Sequence, residues 1–377
     1  MTISSLIIFL SILFALVVIH ELGHFLFAKL FKVSVLEFAF GFPPRLLTKK
    51  IGETIYSFNL IPLGGYVKIF GENGLDDKEM ASLTPEQKKG LFSLKGPVQK
   101  ILILSGGVIF NIVGAIILFT VTFLMGSNVF LERDEVESIN YQDRKLIVVE
   151  INEKSPLLGS GVTTGDRVVE LVSEGEVLTG QSLNSFSASE FIQKHNNSII
   201  NIRYVDKTQQ ERSLEVVPKA SIVPGKKVIG AKFADSAFKK LGFFEALSEG
   251  WKVTFFQLKL IFLGLGSLVY DLIYKDAKVE DNLSGPVGLA LMTTKVSEKG
   301  IDQILIFAAM LSLSLAVFNI LPIPALDGGR IVFVLFEVIL GRKVKASTEQ
   351  LFHGLGFMAL LGLMLFVTYY DIVKALT

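Results

Sequence analysis

Four long and nearly uninterrupted apolar runs constrain this chain more than any other feature of its sequence. A helix needs about 20 apolar residues to cross the roughly 30 Å hydrocarbon core of a bilayer. Four stretches meet that requirement: Ile3 to Phe31, Ile101 to Met125, Ile304 to Ile323 and Leu351 to Val373. The first has no basic segment before it and no small-residue cleavage site, so we expect a retained span rather than a signal peptide. The runs predict a polytopic α-helical membrane protein with four transmembrane helices.

The composition narrows the chemistry that the chain can perform. It has 377 residues, a mean hydropathy of +0.53, and 37 Lys and Arg against 36 Asp and Glu. This balance argues against nucleic acid as a partner, because a nucleic-acid-binding face is strongly basic. The absence of Cys excludes disulfides, thiol nucleophiles, iron–sulfur clusters and Cys-ligated zinc. Any metal must therefore be held by His and carboxylate side chains.

A fifth stretch, Val253 to Ile273, is apolar but less uniform. Polar residues interrupt it and aromatic residues stand near its ends, namely Gln257, Lys259, Asp271, Trp251, Tyr270 and Tyr274. Mixed polarity with interfacial aromatics favours an amphipathic helix on the membrane surface, at about 245–274. A true span is the alternative.

Basic residues predict the orientation. Ten Lys and Arg lie in 32–100, and four more, Arg330, Arg342, Lys343 and Lys345, follow the third span. Because basic loops stay cytoplasmic, both termini are expected outside the cytoplasm. The chain then divides into 1–125 with two spans, an extracytoplasmic domain at 126–222, a linker at 223–300 with the surface helix, and 301–377 with two spans.

The segments between the spans contain predicted β structure. Glu53 to Phe70 alternates around a Pro-Leu-Gly-Gly turn, which predicts a hairpin, and its apolar character predicts that it dips into the membrane beside the helices. Residues 126–222 are predicted to form a small β-rich domain. Its predicted elements are four strands, at Leu146–Ile151, Arg167–Val172, Ile199–Val205 and Arg212–Val217, and a helix at Ser187–His195 opened by a Ser cap.

The chemistry is concentrated in His20-Glu21-Leu22-Gly23-His24, inside the first span. Residues i and i+4 share one helix face, so both imidazoles can reach one metal, and Glu21 can take a proton from a water that the metal activates. A purely structural polar kink would have to place three ionisable groups in one turn at membrane depth. Each would cost at least about 2–3 kcal/mol there.

A catalytic zinc commonly has three protein ligands, so a third ligand is needed. His195 reads as a surface residue and His353 as an interfacial one. The remaining candidate is Asp327, after Pro322 and Pro324 break the third span and where Gly328-Gly329 allows a bend. Asp-Gly-Gly alone is an ordinary turn, but Asp327 reaches the depth of the two histidines if the third span runs inward, which requires 253–273 not to cross.

With both motifs in view, the chain resembles the site-2 protease family of intramembrane zinc metalloproteases, and looks closest to its bacterial regulator-of-sigma-E group. The resemblance covers nearly the whole length. It includes the two motifs above together with Gly64-Gly65-Tyr66, Ser284-Gly285-Pro286-Val287-Gly288 and Asn319 through Gly329. Ser105-Gly106-Gly107 with Asn111 is similar to a family Gly-Pro-x-x-Asn pattern without its Pro, and Asn111 is interpreted as a structural contact between helices.

The resemblance implies that His20, His24 and Asp327 hold Zn2+ and that Glu21 is the catalytic base. It implies that Asn319 and the adjoining Pro322 and Pro324 help to bind substrate, beside a membrane-associated β element carrying Gly64, Gly65 and Tyr66. Gly159 to Asp166, after Ser155-Pro156, is similar to the loop of bacterial PDZ domains, with room for one such domain. Leu157-Leu158 replaces the small residues usual there, which puts peptide capture in question and favours a steric gate.

The activity implied is cleavage within single-span membrane proteins in the bacterial inner membrane, with the active site toward the cytoplasm. The substrates implied are an anti-sigma factor of the envelope stress response or remnant signal peptides. Two other classes stay open on the residues alone. One is a membrane scaffold that recruits partners through the PDZ-like domain. The other is a metal transporter, although the outer half of the first span, Leu6 to Ile19, offers only Ser11 for a polar path.

Overall fold

A computed structural model describes residues 3–72, 74–75, 77–131, 133, 136, 143–152, 155–220, 227–274, 285–342, 344 and 346–376. The chain forms two compact units, one of Met1–Met125 with Leu241–Thr377 and one of Gly126–Lys240. The helices of the first unit are α1 (Ile3–Leu30), α2 (Asp77–Ser82), α3 (Pro85–Lys89), α4 (Pro97–Leu104), α5 (Gly106–Met125), α7 (Phe243–Tyr274), α8 (Pro286–Ser297), α9 (Ile301–Ile320), α10 (Asp327–Leu340) and α11 (Ala346–Leu376). Its strands are β1 (Val35–Ile51) and β2 (Thr54–Ile69).

Among the described residues, five helices of the first unit are long and apolar enough to cross a membrane: α1, α5, α7, α9 and α11. Four of them coincide with the four apolar runs, which confirms the prediction of a multi-pass α-helical membrane protein. The second run begins as a separate helix, α4, because the chain turns at Ser105 before α5. By length and composition α7 meets the same requirement, in the stretch that the sequence predicts to lie on the surface.

The hairpin predicted within Glu53–Phe70 is wrong in its pairing. Strand β2 pairs antiparallel with β1, and the chain reverses at Gly52, which has a φ of +60°. Both strands bend, so that Phe38 pairs with Tyr56 and also with Val67. β1 takes this place because it brings buried apolar side chains, Val35, Phe38 and Ala39, into the sheet. The strand was not predicted from the sequence because it contains Pro43-Pro44, and proline is disfavoured inside strands.

The two longest helices of the first unit that were not predicted are α10 and α8. The α10 helix occupies the basic connection that follows Asp327, and α8 begins at Pro286, which is a favoured residue for the first turn of a helix. The backbone N–H of Gly288 donates to Asp371 Oδ2 at 2.7 Å, which satisfies one of the free amides at the start of α8. Ser284 of the same motif lies outside the described residues.

The second unit is built on an antiparallel sheet whose strands differ in length. Its strands are β3 (Ser127–Phe130), β4 (Lys145–Ile151), β5 (Arg167–Ser173), β6 (Glu176–Thr179), β7 (Ile200–Val205), β8 (Glu211–Val216), β9 (Lys219–Ala220), β10 (Lys227–Val228) and β11 (Ala231–Lys239). The sheet order is β3-β11-β4-β5-β7-β8, with β6 beside β5 and with β9 and β10 forming a separate pair. The four strands predicted from the sequence correspond to β4, β5, β7 and β8.

The second unit differs from the prediction at its end and in its helix. It extends to Lys240 rather than to residue 222, because β11 pairs with β4 and β3 and so belongs to the sheet instead of a linker. Helix α6 (Ser185–Lys194) begins earlier than predicted. Its cap is Asn184, whose Oδ1 accepts from the backbone N–H groups of Phe186 and Ser187 at 3.0 and 2.9 Å.

Glycine conformations and a hydrogen bond define the loop from Gly159 to Asp166, which is the loop similar to that of PDZ domains. Gly159, Gly161 and Gly165 all have positive φ, between +79° and +100°, a region that residues with a Cβ rarely adopt. The Asp166 carboxylate accepts from the Thr163 backbone N–H at 2.7 Å, which closes the turn. Of the two leucines, Leu157 is buried in the core while Leu158 is exposed.

Candidate metal centre

The first elements of the site are two histidines on one face of α1. His24 is buried, and its Nδ1–H donates to the backbone carbonyl of Ile103 in α4 at 2.9 Å. This bond leaves His24 Nε2 as the free ring nitrogen, and it lies 3.2 Å from His20 Nε2. The i, i+4 spacing thus brings both rings to one point, and in both of them Nε2 is the nitrogen that lies there.

Glycines let α5 approach this turn of α1 closely. A Cβ on Gly23 would lie 2.1 Å from the backbone oxygen of Gly106, and a Cβ on Gly107 would lie 2.4 Å from the His20 ring. Real side chains do not tolerate such distances, so these positions require glycine. The Ser105-Gly106-Gly107 segment therefore makes the space that the His20 imidazole occupies.

Asn111, interpreted from the sequence as a structural contact between helices, also faces His20. Its side-chain amide lies 3.3 Å from His20 Nδ1, and its backbone carbonyl accepts from Ser312 Oγ of α9 at 2.8 Å. With the amide turned so that Oδ1 faces the ring, His20 Nδ1–H donates to an oxygen that is otherwise buried without a partner. That arrangement, like the Ile103 bond to His24, leaves Nε2 free to bind a metal.

Asp327 is the first residue of α10, and its carboxylate completes the group. Oδ2 lies 3.2 Å from His20 Nε2 and 3.3 Å from His24 Nε2. Gly328 and Gly329 do not provide a bend, as the sequence suggested, because both are helical and neither has positive φ. They provide close approach instead. A Cβ on Gly328 would lie 2.2 Å from the carbonyl oxygen of Leu321, and one on Gly329 would lie 2.4 Å from that of Ile323.

The donor set fits zinc. Two donors on a tetrahedral zinc with bonds of about 2.0–2.1 Å lie about 3.3 Å apart, and the three separations here are 3.2, 3.2 and 3.3 Å. Asp327 Oδ2 is buried and has no hydrogen-bond partner among the described residues. Within that part of the chain, His20, His24 and Asp327 are the one group of three or more His and carboxylate side chains whose ligand atoms converge.

Glu21 adjoins the cluster on α1 and faces the sheet. A Cβ on Gly65 of β2 would lie 3.5 Å from Glu21 Cγ and 2.7 Å from the carbonyl oxygen of Ala39. Gly65 therefore leaves room for the ladder between β1 and β2, and it lies within ordinary contact distance of the Glu21 side chain. This contact places the predicted β element beside the predicted catalytic base.

The neighbours of Gly65 in β2 have different surroundings. Gly64 has a φ of +125° and packs on the Phe42 ring, which also stacks with the ring of Tyr66 at 6.5 Å between centroids. Tyr66 hydrogen-bonds to Glu37, which also accepts from Ser57 Oγ at 2.7 Å and from Arg45 at 2.6 Å. Burial raises the pKa of the Glu37 carboxyl, but the hydrogen bonds from Ser57, Tyr66 and Arg45 outweigh it and hold the pKa below its usual range.

The remaining predicted site residues lie on the chain that leads into Asp327. Asn319 is half-buried in the last turn of α9, Pro322 is exposed, and Pro324 is half-buried. His353 is not a ligand of the cluster: its Nδ1 accepts from the backbone N–H of Ala325 at 2.8 Å. His195 is not a surface residue as predicted. It is buried in the second unit, with its ring against Phe191 at 4.5 Å between centroids.

These features define a class: a multi-pass membrane protein with a zinc-type donor set and a neighbouring carboxylate inside its apolar helices. The sequence profile of Peptidase family M50 matches residues 8–363. The chain is 30% identical over 359 residues to a protein of Clostridium perfringens named as a candidate zinc metalloprotease, covering 95% of this chain and 96% of the relative. It is 28% identical over 444 residues to the zinc metalloprotease RasP of Geobacillus kaustophilus, covering 99% of each. It is 29% identical over 430 residues to the regulator of sigma-W protease RasP of Bacillus subtilis, again covering 99% of each.

The chain therefore belongs to Peptidase family M50, the site-2 protease family, and is a membrane-embedded zinc metalloprotease. The resemblance stated from the sequence motifs is confirmed, as is the expectation of Zn2+ as cofactor. Neither the scaffold nor the transporter hypothesis is supported by these relatives.

Proposed function

We propose that this protein hydrolyses a peptide bond inside the transmembrane segment of single-span membrane proteins, with His20, His24 and Asp327 holding zinc and Glu21 as the catalytic base. One observation carries the proposal. Three ligand-type atoms converge to within 3.3 Å of one another inside the apolar helices, with Glu21 in the same helical turn. A site at that depth suits a substrate that is itself embedded in the bilayer.

Bound zinc supplies a water whose pKa is lowered toward about 7 and a Lewis acid for the scissile carbonyl. In this proposal the Glu21 carboxylate accepts a proton from the attacking water and then delivers it to the nitrogen of the leaving amine. The Ile103 carbonyl and Asn111 hold the Nδ1 protons of the two histidines. They keep both rings in the tautomer and orientation that present Nε2.

A helical substrate must be unwound before it can react, because its carbonyls are engaged in i to i−4 hydrogen bonds. Residues 65–68 pair with β1 on one side, and the described pairings include no strand on their other side. We propose that an extended substrate segment adds there as a strand, beside Gly64, Gly65 and Tyr66. Asn319 would bond the freed backbone of the substrate, and Pro322 and Pro324 would shape the opposite wall.

The proposed setting is the bacterial inner membrane, with both termini extracytoplasmic and the basic residues of 32–100 in the cytoplasm. In it α7 lies on the membrane surface, and the second unit acts as an extracytoplasmic PDZ-like filter. The relative in Bacillus subtilis is named for the regulation of sigma-W. That name supports an anti-sigma factor as substrate, and remnant signal peptides are the other substrate class that we propose.

The test pairs metal analysis with a cleavage assay in detergent, on a single-span substrate with helix-breaking residues. We expect about one zinc per chain in the wild type. Glu21→Gln should keep zinc and lose cleavage by at least about 100-fold, since a positioned general base contributes that much or more. Asp327→Ala should lose both. Zinc-free wild-type protein, or full cleavage by Glu21→Gln, would overturn the assignment.

A further inference from the structure

The connection between α9 and α10, residues 321–326, decides where the Asp327 carboxylate lies. It is short, and it contains Ala325 with a φ of +77°, a left-handed conformation that is unfavourable for a residue with a Cβ. Such a conformation persists only where neighbouring groups hold it. The question is which groups hold it here, since Asp327 follows only two residues later.

His353 of α11 carries the first group that holds the conformation of Ala325. The Ala325 backbone N–H donates to His353 Nδ1 at 2.8 Å. The bond requires an unprotonated Nδ1, so the ring proton of neutral His353 is on Nε2, where Glu349 Oε1 lies 3.9 Å away. The ring also packs on Phe333 of α10, with 5.5 Å between centroids. His353 thus contacts both the loop before Asp327 and the helix after it.

Gly356, one turn further along α11, is the second residue that holds the conformation of Ala325. A Cβ there would lie 2.3 Å from Pro324 Cβ and 2.6 Å from the Pro324 carbonyl oxygen. Residues i and i+3 share a helix face, so His353 and Gly356 present one surface of α11 to Pro324 and Ala325. The helix can lie this close to the loop only because Gly356 has no side chain.

We propose that His353 and Gly356 are positioning residues for zinc binding: they dock α11 on residues 324–325 and so hold Asp327 at the distance where its carboxylate meets His20 and His24. The proposal rests on the proposed role of Asp327 as a ligand. Neither residue touches the metal or the substrate. Their effect is to keep the third ligand in place before zinc arrives.

The first test compares two substitutions of His353 in the full-length protein. His353→Phe keeps a ring against Phe333 but removes the acceptor for Ala325 N–H. His353→Asn places an amide oxygen near the position of Nδ1 and can restore that acceptor. We expect His353→Phe to bind zinc about 10-fold more weakly or worse, as when an outer partner of a ligand is removed. His353→Asn should lose less than the roughly 10-fold at the lower end of the range for a lost outer partner.

The measurements separate positioning from a general loss of structure. Zinc affinity is measured by competition with a chelator, and the visible spectrum of the Co2+-loaded protein reports the geometry of the ligands. The thermal midpoint of the metal-free protein reports packing. Wild-type affinity in His353→Phe would overturn the proposal. Equal losses in both variants, together with a lowered metal-free midpoint, would also overturn it, because they would mark a packing role.

A matched pair of glycines gives a second test that does not depend on the His353 variants folding. Gly356→Ala introduces a Cβ against Pro324, whereas Gly354→Ala, on the same helix, introduces one with nothing within 4 Å. We expect weaker zinc binding only in Gly356→Ala, and equal affinities in the two would contradict the proposal. If instead Asp327→Ala binds zinc as the wild type does, the proposed ligand set itself has failed. That result is distinguishable because it involves no change in α11.

Discussion

Each unit of this protein has a buried histidine beside carboxylates, and the two arrangements differ in one respect. In the first unit, His20 and His24 direct the same nitrogen, Nε2, to a single carboxylate oxygen of Asp327. In the second unit, His195 is 4% exposed and its two ring nitrogens face different glutamates. Nδ1 lies 3.5 Å from Glu174 and Nε2 lies 3.0 Å from Glu176, two carboxylates that are 65% and 46% exposed.

The difference lies in what occupies the second nitrogen of each ring. Around the proposed zinc site, Nδ1 is taken by the Ile103 carbonyl in His24 and by the Asn111 amide in His20. Around His195 both nitrogens have carboxylate neighbours, and Glu176 is shared with Lys194 at 2.5 Å. A histidine beside acidic groups is therefore a metal-type site only where its free nitrogen converges with those of other ligands. His195 is interpreted as a structural residue that ties α6 to the turn between β5 and β6.

The sharpest test replaces one histidine of each kind by phenylalanine, which keeps a ring and removes both nitrogens. His24→Phe should weaken zinc binding by more than about 100-fold, beyond the range for loss of an outer partner, and abolish cleavage. His195→Phe should leave zinc affinity unchanged and destabilise the second unit by about 1 kcal/mol through the lost hydrogen bond to Glu176. Metal analysis and thermal unfolding of both variants provide the check. A zinc defect in His195→Phe would break the comparison.

A smaller effect is expected at Asn111, which distinguishes a ligand partner from a packing contact. Asn111→Leu keeps the volume but removes the partner of His20 Nδ1, and should weaken zinc binding by about 10–100-fold. Asn111→Asp can still accept from Nδ1–H and should bind nearly as the wild type does. Chelator competition on the two variants measures this. If Asn111→Leu binds zinc normally, Asn111 only joins α5 to α9 through its backbone bond with Ser312.

The smallest expected effect concerns Glu176 and is a dependence on pH. The hydrogen bond from Lys194, and then that from His195, lower the pKa of Glu176 below its usual value. A carboxyl with a lowered pKa stabilises the folded state above its unfolded pKa of about 4.3, and this contribution is lost as pH falls through the folded pKa. Glu176→Gln should therefore lower protection of the α6 amides from hydrogen exchange at pH 6, and the difference from the wild type should shrink as the pH falls below about 4.3. A difference that does not change with pH would contradict the ion-pair explanation.

Sequence reasoning was most successful where the determining pattern is local. A span requires only a continuous apolar run, and the four runs coincide with α1, α5, α9 and α11. The pairing of His20 with His24 follows from the helical repeat alone. Predicting Asp327 as a ligand required two further arguments, the order of the spans and a family resemblance, because a lone Asp-Gly-Gly has no distinctive periodicity.

The sheet of the first unit was only partly predictable. Alternation in 53–70 predicts β structure, but the partner strand lies at 35–51 and carries Pro43-Pro44. Periodicity within one segment contains no information about which other segment pairs with it, since that depends on apolar surface contributed by both. The same limit explains why β11 was placed in a linker rather than in the second sheet.

By itself, the sequence determined that the chain crosses a membrane, that His20 and His24 lie on one face of the first helix, and that no Cys takes part. Only the tertiary structure decided which groups hold those residues in place. Asn111 is 91 positions from His20 and His353 is 28 from Ala325, and no local pattern links either pair. The same holds for Gly23 and Gly106, since close approach between helices depends on both backbones at once. Local spacing thus brings His20 and His24 together, whereas long-range packing selects their partners.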